Sequence, residues 1–105
     1  MKLLTKEIEN KLRKHPMGST DGQGYDAELV VKFFNPCGAG TWLITEGEQQ
    51  PNGDWYLYGL CQIIGHGWEW GPVMLSELAS YRDRRFGIGI ERDRYAKGTV
   101  RENMT

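Results

Sequence analysis

Long apolar runs are missing from this sequence. No stretch approaches the ~18 residues that a membrane helix requires, so a helical membrane protein is excluded and no membrane partner is expected. Cysteine is scarce. Cys37 and Cys61 stand far apart and form no C-x-x-C pair, which argues against a redox motif or a zinc knuckle and leaves two free thiols as the expectation. Histidine is as rare, and His15 and His66 combine with the two cysteines in no zinc spacing. Both are expected on the surface, with no metal and no cofactor. The formal net charge of −1 gives the molecule no overall attraction to nucleic acid. The amino terminus, Met1-Lys2-Leu3-Leu4-Thr5-Lys6, turns charged too soon for a signal peptide, and a cytoplasmic protein is expected.

What is present fits one domain. A chain of 105 residues can bury one hydrophobic core and is too short to divide into two. The 14 glycines, nearly double the usual share, predict many tight turns. Thr5 is placed to cap a helix reaching Arg13, with Leu4, Ile8 and Leu12 as its apolar stripe and Glu7/Lys11 and Glu9/Arg13 as pairs four residues apart. Residues 15–26, rich in Gly, Ser, Thr and Asp, read as a mobile surface loop. Strands are predicted over 27–34, 41–46, 54–64 and 68–73, with a glycine-flanked corner at Gly65-His66-Gly67. Ser76 is the expected cap of a short helix over 77–81. Phe86, Ile88 and Ile90 alternate with Gly87, Gly89 and Glu91, the period-two pattern of a half-buried last strand. The fold class is therefore α+β, a mainly antiparallel twisted sheet of about five strands with an N-terminal helix and a short helix before the last strand. Residues 1–95 form the domain, and 96–105, with no apolar period, are expected to be a flexible tail.

Asn52-Gly53 favours a two-residue hairpin turn, because both central positions of a type I′ turn need positive φ. Such a loop sets the register of the strands around it. Trp42 would face Ile63, Ile44 would face Cys61, and Glu46 would face Gly59. A carboxylate beside a missing side chain leaves room for a partner, which makes Glu46 the first candidate site residue.

Other candidates come from charge and aromatic content. Residues 82–101 hold seven Arg/Lys (82, 84, 85, 92, 94, 97 and 101) against three acids (83, 91 and 93), whereas residues 1–81 hold six against ten. Arg82, Arg84, Arg85, Arg94 and Lys97, interleaved with Tyr81, Phe86 and Tyr95, resemble a single-strand stacking surface. The alternation with Asp83, Glu91 and Asp93 equally suits local ion pairs on a solvated face. Trp55, Tyr56, Trp68 and Trp70 are either core or an aromatic patch for a protein partner. Glu46 with Glu91 or Asp93 would be an acid/base pair for hydrolysis if the carboxyls lay about 5–10 Å apart. Cys61 falls within an apolar strand, where thiols are usually inert, and Cys37 has no evident activating base.

Several segments together resemble the bacterial domain-of-unknown-function family numbered 2958. They are Leu3-Leu4-Thr5-Lys6-Glu7, Val31-Lys32-Phe33-Phe34-Asn35-Pro36, Thr41-Trp42 with Thr45-Glu46-Gly47-Glu48, Gly53-Asp54 with Tyr58-Gly59-Leu60, Leu75-Ser76-Glu77-Leu78, and Gly87-Ile88-Gly89-Ile90-Glu91-Arg92-Asp93. The family has no settled activity and offers no catalytic residues to carry over. Its members look like accessory genes of plasmids, phages and integrated elements, some beside anti-restriction or DNA-processing proteins. The resemblance thus implies a small regulator that binds and does not turn over substrate. The loop Pro36-Cys37-Gly38-Ala39-Gly40 departs from the family's bulkier pattern, so a contact made there would differ in specificity. The expected function is a non-enzymatic module that engages a protein partner through Trp42, Glu46 and the strand end Glu91-Arg92-Asp93. Nucleic-acid binding through the basic stretch is the alternative, and a carboxylate-dependent hydrolase is the weaker one.

Overall fold

Thr5 starts the first helix by the chemistry of its side chain. In the computed structural model, which describes residues 2–63 and 67–104, its hydroxyl accepts a hydrogen bond from the Ile8 N–H at 3.2 Å, and helix α1 spans Lys6–Arg13. Glu9 and Arg13 pair at 3.7 Å. Lys11 does not pair with Glu7 but reaches Glu28 at 3.0 Å and donates to the Leu29 carbonyl, tying α1 to the chain that enters the sheet.

The strands are β1 (Val31–Phe34), β2 (Thr41–Gln49), β3 (Trp55–Gln62), β4 (Trp68–Met74) and β5 (Glu91–Arg92). All pair antiparallel in the order β4-β3-β2-β1-β5. Helix α2 (Leu75–Ser80) lies between β4 and β5. This is the α+β architecture expected from the sequence. The expected corner at 65–67 and the end of the third strand at Ile64 involve residues 64–66, including His66, which lie outside the described residues.

Register is where the structure departs from the sequence pattern. Pro51, with φ fixed near −65°, takes the first central position of the turn, one residue earlier than an Asn-Gly turn would start. The Gly53 N–H then bonds the Gln50 carbonyl at 2.9 Å, and Gln50 N–H bonds the Asp54 carbonyl at 2.7 Å. Only Gly53, at φ 91°, is left-handed; no non-glycine residue among those described has positive φ. The loop is therefore Pro51-Asn52-Gly53, three residues long. Its first pair is Gln49 with Trp55, and Glu46 faces Tyr58. A bulge at Thr45 shifts the register once more, so Ile44 faces Gly59 and Trp42 faces Cys61. The expected pairs Trp42–Ile63, Ile44–Cys61 and Glu46–Gly59 do not form.

Both faces of the sheet are covered. Val31, Phe33, Ile44, Trp55 and Leu57 pack under α1, the Leu3-Leu4 segment and Leu78 of α2. Leu43 and Leu60 point the other way, onto Ala27, Leu29 and Val100. Residues 96–104 thus do not hang free, as the lack of an apolar period suggested. Thr99 bridges Glu28, and the Val100 N–H donates to the Ala27 carbonyl. Burying Val100 completely contributes about 1.5–3 kcal/mol, and Ala96, Met104 and the backbone bonds to Ala27 and Glu28 add to it in holding a segment that has no period of its own.

Two further expectations are corrected. The alternating stretch 86–91 is not a strand until Glu91. The Asp83 carboxylate accepts from the N–H groups of Arg85 and Phe86, and the Asp83 backbone bonds Gly87 and Ile88, so local bonds fold 83–88 into a turn. Ser76 does not cap α2 but sits inside it, donating its hydroxyl and N–H to Asp54. Glu77 instead accepts the Met74 N–H at the helix start.

Candidate functional site

Gly59 on β3 pairs with Gly71 on β4. Both belong to the sheet side of Trp42 and Cys61, so two adjacent strands carry no side chain at the same level. A groove of about 690 Å³ opens over Gly71, whereas at Gly59 the backbone of Leu43 and Ile44 takes the place of a side chain. Trp42 and Cys61 form its floor, Gly71 and Val73 one side, and Leu78, Tyr81 and Ile90 the other. The Asn35 amide donates to the Tyr81 hydroxyl at 3.3 Å, fixing that ring at the rim. Among the described residues, the charged groups of the lining are Glu69 and Glu77, both exposed and both acidic. A Cβ on Gly71 would meet nothing within 4 Å, so the groove is open directly above it. Burial pushes the Cys61 thiol up to about 11, which keeps it protonated at neutral pH and unsuited to nucleophilic attack.

Of the residues singled out from sequence, Trp42 belongs to this groove. Glu46 does not. It lies on the side of Tyr58, only 2% exposed, and its carboxylate accepts from the Gly18 N–H at 2.8 Å, the Thr20 N–H at 2.9 Å and the Thr20 hydroxyl. Burial alone would push this carboxyl up, but the Thr20 hydroxyl, the two N–H groups and the nearby His15 hold it below its ordinary value of 4.5. Glu46 is therefore the anchor of the 18–20 loop. Arg92 is also engaged, donating to the carbonyls of Lys2 and Leu3 at 2.7 and 3.0 Å. Asp93 lies 3.8 Å from Lys32 and accepts from the Tyr95 N–H. Glu91 pairs with Phe34, whose partner on β2 is Thr41, so it stands two strands, about 10 Å, from the strand of Glu46 and five residues along it. The carboxylates of the hydrolase reading share no pocket.

The basic residues scatter. Arg82 donates to the carbonyls of Ala79 and Tyr81, closing the end of α2. Arg85 lies over the Phe86 ring at 5.2 Å and 3.8 Å from Asp83. Arg84, Arg94 and Lys97 are exposed. Of the tryptophans, Trp55 is core, while Trp70 stacks between Tyr25 and Tyr58 with centroids about 6 Å apart. His15 is half-buried, its Nδ1 at 3.0 Å from the Lys11 carbonyl and its Nε2 at 3.6 Å from Glu28. Among the described residues, no three His, Cys, Asp or Glu side chains gather as metal ligands.

A family profile described as "Protein of unknown function (DUF2958)" matches residues 3–103. The chain belongs to the DUF2958 family. No curated protein and no solved structure matches it. The DUF2958 match runs through Val100, the residue that closes the second face of the sheet, and spans every element that lines the groove. Sequence reasoning missed Gly71 and Glu77 as site residues, and it placed Tyr81 on a stacking surface with the basic stretch and not in a groove. The signal that would have found them is the facing of Gly59 and Gly71, visible only once the true register of β3 and β4 is known.

Proposed function

We propose that this DUF2958 chain is a non-enzymatic binding module whose groove takes a segment of a partner protein bearing an apolar side chain beside a Lys or Arg. The single observation that carries this reading is the bare Gly71 position of β4, open above the sheet, walled by apolar side chains and edged by Glu69 and Glu77. An apolar cleft of this size with a few polar groups at its rim suits one or two anchoring side chains, and the acids select a cation next to them. The mobile-element setting that the family resemblance implies would make a host protein the source of that segment.

A random-peptide display selection on the immobilised chain tests the proposal. Enriched peptides are expected to combine Leu, Ile or Phe with Lys or Arg, and Gly71→Val to weaken them about tenfold or more, since its branched side chain fills the space over the sheet. The thermal midpoint of Gly71→Val should stay at or above that of wild type, because a Cβ there meets no neighbour. Peptides that bind Gly71→Val as well as wild type would remove the groove from consideration.

A second reading, contact with single-stranded nucleic acid, is favoured by one observation. Tyr95 is 90% exposed, and Arg94 and Lys97 beside it are exposed as well. Stacking of a base on such a ring contributes about 1–3 kcal/mol. Fluorescence anisotropy with a labelled oligothymidylate at low salt should show binding that weakens steeply as salt rises and falls about tenfold in Tyr95→Ala. An unchanged anisotropy at low salt would end this reading.

A further inference from the structure

The turn at 83–88 projects beside the groove and has its own chemistry. Phe86 is 65% exposed and Ile88 41%, two apolar side chains presented together on one turn. Arg84 and Arg85 flank them and are exposed too. The turn is preorganised, since the Asp83 carboxylate accepts from two of its N–H groups and the Asp83 backbone closes it at both Gly87 and Ile88. Gly87, at φ 68°, provides the left-handed residue that the closure needs. Ordering entropy has thus already been spent, and aromatic and Arg side chains are those that most often dominate protein interfaces.

The groove has the complementary character. Among the described residues its lining is mainly apolar and its two charged residues are acids, whereas the turn presents two exposed apolar side chains and two arginines. The two features are also neighbours, because Tyr81 and Ile90, which wall the groove, are the residues that lead into and out of the turn. A projection beside its own complementary recess is the arrangement that a two-fold axis satisfies, each copy filling the other.

We infer that a second copy of this chain occupies the groove, inserting its Phe86 turn between Trp42 and Tyr81 with Arg85 against Glu77 and Glu69, in a reciprocal dimer. This rests on the proposed role of the groove and names the partner in the absence of any other protein. A host segment of the same chemistry would then compete with the dimer for the same recess.

Sedimentation equilibrium over micromolar to millimolar concentrations tests it. Wild type is expected to shift from monomer to dimer, whereas Phe86→Ala and Gly71→Val remain monomeric. Glu77→Arg and Arg85→Glu should each be monomeric alone and form a mixed dimer when combined, since both halves of the interface regain opposite charges. Restoration by the mixture cannot come from misfolding of either variant. Wild type that stays monomeric throughout, or a dimer unmoved by Phe86→Ala and Gly71→Val, overturns the inference. If wild type is monomeric while selected peptides still lose affinity for Gly71→Val, the groove remains a binding site and only the second copy is removed from it.

Discussion

Gly59→Ala is expected to cost the protein about 4 kcal/mol or more, a large part of the about 5–15 kcal/mol that holds a domain of this size together. A Cβ at this position would lie 1.9 Å from the Leu43 carbonyl oxygen and 2.8 Å from the Ile44 Cα, both backbone atoms of the adjacent strand. Neither can withdraw without breaking the pairing on either side of the Thr45 bulge. The control is the glycine directly opposite. Gly71→Ala meets no atom within 4 Å and should be neutral or stabilise by about 0.4–1 kcal/mol, through the reduced freedom of the unfolded chain. Urea denaturation followed by tryptophan fluorescence compares the two. Equal midpoints for Gly59→Ala and Gly71→Ala would show that the bulge yields to a methyl group and that the close approach is not required.

Glu46→Gln should destabilise by about 1–3 kcal/mol at neutral pH although it preserves shape. Three donors converge on the carboxylate, two of them on Oε2. An amide nitrogen in place of either oxygen presents a donor to a donor, and the Gly18–Thr20 segment loses part of its anchorage. The effect has a defined pH dependence. The native carboxyl is held below its ordinary value of 4.5, so between these two values the unfolded state binds more protons and stability rises with pH. The advantage of wild type over Glu46→Gln is therefore full above the ordinary value and is lost as pH falls through the lowered native one. Stability of both proteins measured from neutral pH down to about pH 3 should show the curves converging in acid. A gap that persists undiminished at the acid end would mean that the charge on Glu46 is not what holds the loop.

These two positions also show how far the sequence was legible. Helix α1 was readable because its causes are local, a Thr cap and a stripe at helical spacing. The existence of strands β2 and β3 was readable from their apolar residues, but not their register. Asn52-Gly53 is a strong turn signal, yet Pro51 shifts the turn by one residue, and the bulge at Thr45 answers to packing on both faces of β2, which no local pattern encodes. The alternation of Phe86, Ile88 and Ile90 was misleading for a similar reason. Period two describes a strand only where a neighbour is present to pair with, and the Asp83 carboxylate offers the same backbone closer bonds. Glu46 was singled out as a candidate binding residue opposite Gly59, whereas it stands opposite Tyr58 and its carboxylate holds the Gly18–Thr20 loop. The groove itself was out of reach, since Trp42, Cys61, Gly71 and Tyr81 are far apart in sequence and meet only through the pairing of β2, β3 and β4 and the packing of α2.

Val100 has a consequence in the time during which the chain is made. Leu43 and Leu60 belong to the hairpin that can form early, but the side chain that completes their cluster arrives only when residue 100 has been synthesised. Until then one face of the sheet is exposed apolar surface, visible to chaperones and proteases. Native packing thus reports that translation has passed this point. A chain that stops before residue 100 lacks the side chain that completes this cluster, and a nick at the exposed Arg94-Tyr95 pair leaves that side chain held only by its contacts with Ala27, Leu29, Leu43 and Leu60.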